Sequence, residues 1–120
     1  MYREIEIGGN IYKLRLTMRN SVALEKALGK SPIDWFIEVN NTFEENGTPS
    51  IRVADVAIVL HSMLQSLHHG ITLDKTYDIL DAYVNDGNVI FSLLPVFVEV
   101  FQNSGYIPKA VEVAEEEVKN

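Results

Sequence analysis

Two stretches of this chain, VADVAIVLHSMLQSLHH (residues 53–69) and VIFSLLPVFVEVF (residues 89–101), are apolar on more than one face, and they limit what the chain can fold into. The first carries Val53, Val56, Ile58, Val59, Leu60, Met63, Leu64 and Leu67 at spacings that leave no wide polar side. A helix of that kind is usually central in its domain, because no face of it is suited to water. The second carries Val89, Ile90, Phe91, Leu93, Leu94, Val96, Phe97, Val98, Val100 and Phe101. Pro95 and Glu99 interrupt it, and it falls short of the roughly 20 apolar residues that a membrane span requires. A chain of 120 residues is enough for one domain with a core of its own, but two such helices are hard to bury in it together, which leaves either a large core or an exposed apolar surface. The absence of cysteine removes disulfide staples and thiolate metal sites from consideration.

The remaining elements are marked by their punctuation. In EIEIGGNIYKLRL, side chains alternate between faces. A two-residue turn at Gly9-Asn10 would pair Ile7 with Tyr12, Glu6 with Lys13, Ile5 with Leu14 and Glu4 with Arg15. Apolar residues then oppose apolar ones and acids oppose bases, whereas a three-residue loop mixes the two sets. A lone hairpin is marginal in water, so the face made by Ile5, Ile7, Tyr12, Leu14 and Leu16 is expected to rest on helices. A first helix is predicted over Met18–Leu28 with Gly29 as its stop. A second is predicted from Pro32 to about Glu45, with Ser31 as N-cap and Asp34 three residues on. A third runs from about Val53 to His68, and Gly70 ends it. A fourth runs from Leu73 to about Asn85, capped by Thr72 and stopped at Gly87. The fifth is predicted over about Val89–Ser104, with a kink or restart at Pro95, and Gly105 and Pro108 close it. The fold class is mainly α: an N-terminal β-hairpin packed on a compact bundle of about five helices. One domain is expected over residues 1–108, and the acidic tail 109–120 is expected to be frayed or flexible.

A search for chemistry returns little. His61 and His68 stand two helical turns apart, about 10 Å, which is too far for one ion, and no HExxH motif is present. His68 and His69 suit a helix C-terminus instead. DAYVNDG fails as a calcium loop, because aligning Gly87 with the invariant glycine puts Ala82 and Val84 at ligand positions. Asp74, Asp78 and Asp81 share one helical face and read as a solvated surface rather than a catalytic set. There is no GxSxG, P-loop or GxGxxG. The chain is expected to be no enzyme and to carry no metal and no cofactor. The opening MYREIEIGG lacks the apolar run of a signal peptide, so a cytoplasmic protein with no membrane partner is expected.

Charge is distributed unevenly. Residues 1–30 hold six Lys/Arg and three Glu, for a net charge of +3, while residues 31–120 carry −10. The overall charge of −7 argues against nucleic acid as a main partner. The polarity would favour weak head-to-tail self-association, with Lys13, Arg15 or Arg19 of one copy facing acids of the fourth helix in the next. The apolar excess of the fifth helix marks it as a recognition or self-association element, presented through whichever of Phe91, Phe97 and Phe101 is open.

The order of elements resembles that of the tail assembly chaperones of long-tailed bacteriophages and prophages. The resemblance rests on Gly9 to Arg15 as a G-x-x-Y-x-L-R hairpin, on Leu24, Glu25, Leu28, Gly29 and Ser31 as an LE-x-x-LG-x-S helix end, and on Ile71-Thr72-Leu73-Asp74 with Asp78-Ile79 as a helix start. It covers nearly the whole chain through hydrophobic, degenerate motifs, and Ile71 stands where that family usually has Leu or Pro. It implies a protein of the host cytoplasm without an active site. Such a protein binds the long, aggregation-prone tape-measure protein and helps recruit tail-tube subunits. The competing reading is another phage or bacterial interaction module, a head–tail connector or an adaptor.

Overall fold

The computed structural model describes residues 1–107. Expectations for Pro108 and for the tail 109–120 lie outside the described residues. The chain runs β1 (Arg3–Ile7), β2 (Asn10–Leu14), α1 (Met18–Leu28), α2 (Pro32–Asn46), α3 (Val53–Leu64), α4 (Leu73–Asn85), a 3-10 turn (Ile90–Leu93) and α5 (Leu94–Asn103). No single helix among the described residues is long and apolar enough to cross a membrane.

Helix boundaries follow the capping chemistry. The Thr17, Ser31 and Thr72 hydroxyls accept the backbone N–H of Asn20, Asp34 and Lys75, so α1, α2 and α4 each begin on a satisfied donor. Gly29 and Gly47 adopt the left-handed conformation that stops α1 and α2. The third helix is shorter than its apolar pattern predicts. It ends at Leu64 rather than His68, and Gln65 turns back to donate its side-chain amide to the Ile71 carbonyl at 2.7 Å. The fifth helix restarts, as Pro95 requires. A 3-10 turn carries Ile90–Leu93, and Pro95 falls in the first turn of α5, where no backbone N–H is needed.

The hairpin corrects the expected register. Its two-residue turn is Gly8-Gly9, one residue earlier than Gly9-Asn10, so Ile5 pairs with Tyr12, Glu4 with Lys13, Glu6 with Ile11 and Ile7 with Asn10. Both turn glycines have positive φ, +58° and +82°, the type I′ geometry whose twist matches the strands. The shift moves each pairing by two positions, so the assignment of residues to faces is unchanged. Ile7, Leu14 and Leu16 are buried, and Ile5 and Tyr12 pack at the margin of the core.

The hairpin is sewn onto the helices through its edges. Lys13 N–H donates to His68 Nε2 at 2.9 Å and Arg15 N–H to the Met63 carbonyl at 3.0 Å, which satisfies the outer side of β2 and the residue that follows it. At the turn, Gly8 N–H donates to Asp86 Oδ2 at 2.9 Å, and a Cβ on Gly8 would stand 3.2 Å from that of Ala82. α3 occupies the centre and packs against β2, α1, α4 and α5. Val56, Ala57, Val59, Leu60, Met63 and Leu64 of α3 are all fully buried.

Candidate functional site

α5 places its apolar residues on two sides. Leu94, Phe97, Val100 and Phe101 enter the core, where Phe97 meets Trp35 of α2 at 6.4 Å between ring centroids. Pro95 and Val98 point the other way, into the space between α5 and α2. From α2, Phe36 and Asn40 line the same space, one turn apart on the side adjoining the buried Trp35 and Val39. Phe91, in the 3-10 turn, closes one end and stacks on Phe43 of α2, with centroids 6.3 Å apart and planes within 12°.

The result is an open groove of about 640 Å³ with a mainly apolar lining. Glu99, Gln102 and Asn103 form its polar rim. Glu99 is held in place by Arg3 of β1, whose Nε lies 2.7 Å from Oε2. The pair is half-exposed, so it orients the rim more than it stabilises the fold. The α5 wall from Leu94 to Gln102 extends about 12 Å at the helical rise. That length accommodates two turns of an apposed helix.

The structure sorts the aromatic residues singled out from sequence. Phe91 is partly open and lies in the groove. Phe97 and Phe101 are 0% and 1% exposed and belong to the core, so neither can present itself to a partner. Their period from Leu94 follows the buried stripe of α5, which is why apolarity by itself did not separate them from Val98. Lys13, Arg15 and Arg19 are all exposed, but none lines the groove. The Lys13 ammonium sits 5.1 Å above the Tyr2 ring. Phe36, Asn40 and Val98 were not singled out. Phe36 and Phe43 form a second apolar row on α2 beside Trp35 and Val39, and that row is the signal in the sequence.

The polar candidates do not converge. Among the described residues no group of three His, Asp or Glu side chains comes together as a metal site. His68 accepts the β2 edge and meets Tyr12 edge-on at 5.7 Å, a structural use rather than the helix-end role expected of it. Asp74, Asp78 and Asp81 are all exposed on α4.

A mainly helical domain led by a docked β-hairpin, with an open apolar groove between two helices, is the class that this geometry defines. The chain belongs to DUF6096, a family of unknown function, whose model matches residues 2–118 and so takes in every element described above. No curated protein and no solved structure matches it.

Proposed function

We propose that the protein is a non-catalytic tail assembly chaperone that holds apolar helical segments of a tape-measure protein in the α2–α5 groove and helps bring tail-tube subunits to it. The observation that carries this reading is the groove itself. Phe36, Phe91, Pro95 and Val98 expose an apolar surface flanked by Asn40, Gln102 and Asn103. That arrangement suits an amphipathic helix laid between two others. The resemblance of the hairpin and helix-end motifs to tail assembly chaperones supplies the identity of the helix. Action in the host cytoplasm is part of the same proposal.

The reading is tested by co-expression with a tape-measure protein from the same genome. Wild type is expected to co-purify with it and keep it in solution. Val98→Asp, placed in the groove wall, is expected to lose that partner while its circular dichroism stays unchanged. Equal capture by the folded variant would remove the groove from the mechanism. A gene lying outside any tail operon would remove the chaperone reading itself.

A further inference from the structure

Apart from the groove, two helices present faces that nothing among the described residues covers, and the faces match each other. On α1, Met18 and Val22 are 65% and 52% exposed, and together with Arg19, Ala23 and Lys26 they line a shallow depression. On α4, Tyr77 and Val84 are 44% and 46% exposed, beside the exposed Asp74, Asp78 and Asp81. On each face the apolar pair is bordered on one side by a row of one charge, Arg19 and Lys26 on α1 and Asp74, Asp78 and Asp81 on α4, while exposed Glu25 borders the far side of the α1 pair and exposed Lys75 lies beyond the acidic row of α4.

The spacing agrees as well as the sign. Arg19 and Lys26 are seven residues apart, as are Asp74 and Asp81. Each pair therefore spans about 10 Å along its helix, and two cations can meet two carboxylates while Met18 and Val22 lie on Tyr77 and Val84. None of these charges is used internally: among the described residues the ion pairs are Arg3–Glu99, Lys30–Glu38 and Arg52–Asp55.

We propose that the α1 face of one copy docks on the α4 face of a second copy. Both helices pack on α3 and turn these sides outward. A copy that uses its α1 face keeps its α4 face open for the next, so the contact is head-to-tail and repeats. The expected charge polarity of the chain is thereby given a specific surface: Arg19 and Lys26 replace the hairpin's Lys13, which is engaged with Tyr2. A single helix-on-helix patch is smaller than the roughly 1,000 Å² of a stable interface, so the association is weak and needs high protein concentration. It lies on surfaces separate from the groove and does not depend on what the groove binds.

Charge exchange in sedimentation velocity provides the test, with circular dichroism to verify folding. At 0.5–1 mM-scale loading, about the range for weak contacts, wild type is expected to associate at low salt and to dissociate as screening shortens the Debye length to about 3 Å at 1 M. R19E/K26E and D74K/D81K, each alone, are expected to be monomeric. Mixed in equal amounts they are expected to associate again, because each reversed face now meets its complement. Met18→Ser with Val22→Ser, which leaves the charges in place, is expected to weaken association at least tenfold. A monomeric wild type at low salt, or a mixture that stays monomeric, overturns the proposal. So does association that survives the single reversals.

Discussion

α3 and α5 look alike in sequence and behave differently in the fold. Both are rich in Val, Leu and aromatic or sulfur-containing residues, and both lie beside Trp35 or the hairpin in the same core. α3 is enclosed by elements on nearly every side, so its apolar residues, apart from the exposed Val53 at its start and the half-buried Ile58, are consumed by packing. α5 lies at the boundary, where α2 reaches it through Trp35 but stands off at Phe36 and Asn40. The same composition yields a core in one place and an accessible apolar surface in the other. Apolar excess in a sequence therefore locates the candidate helices, while the angle of a neighbouring element decides which of them faces out.

Substitutions can break this contrast or refine it. Leu60→Asp on α3 is expected to abolish folding, because an unpaired carboxylate at a fully buried position costs several kcal/mol on the order of the whole stability; loss of the far-ultraviolet helical signal is the measurement. Phe97→Ala, on the inward side of α5, is expected to cost about 3–5 kcal/mol, read as a lower denaturation midpoint in urea. If it costs under a third of that, α5 is not the core element that its buried side implies. Gly8→Ala extends the comparison to the hairpin. A left-handed φ costs a residue with Cβ about 1–2 kcal/mol, and the close approach to Ala82 adds to it, so a modest fall in melting temperature is expected. His68→Ala, which strips the acceptor from the β2 edge, is expected to cost about 0.5–1.5 kcal/mol and to speed hydrogen exchange of the Lys13 amide. Val98→Asp, at a half-buried position whose side chain lines the open groove, is expected to have the smallest effect, about 0.5 kcal/mol as at the surface, measured in the same urea titration. A cost comparable with that of Phe97→Ala would mean that the outer side of α5 is packed after all.

The elements that could be read from sequence are those with local chemistry at their ends. Met18–Leu28 and Leu73–Asn85 came out residue for residue, because Gly29, Thr72 and the apolar spacing all agree. The C-terminus of α3 did not. No glycine or proline lies between Leu64 and Gly70, and what ends the helix is the Gln65 side chain bonding to Ile71 and the diversion of His68 to β2. Both are contacts that the local pattern does not encode. The hairpin turn failed for a related reason. Gly8-Gly9 and Gly9-Asn10 give the same facial alternation, and the charge pairs that favoured the latter contribute only about 0.2–1 kcal/mol each. The choice is made by a distant element: Gly8 has no side chain to clash with Ala82 and gives its N–H to Asp86. For the groove, the apolar excess of residues 89–101 pointed to this helix but did not separate Phe91 from the buried Phe97 and Phe101. On α2 the row of Phe36 and Phe43 carries a signal, but that Phe36 and Asn40 face an open space depends on how α2 leans over α5.

The contacts that sew the hairpin down also set an order of events during synthesis. β1 needs Asp86 for Gly8 and Glu99 for Arg3, and β2 needs His68 for Lys13. At a translation rate of about 5–20 residues per second, the strands leave the ribosome several seconds before the last of these anchors exists. A two-stranded ribbon does not hold itself together in water over that interval. The nascent chain therefore travels with Ile5, Ile7 and Leu14 uncovered and with the backbone groups of both strands unpaired, which leaves them free to pair with another chain. The segment translated first is thus among the last to become native, and its safekeeping until α4 and α5 arrive falls to the cell.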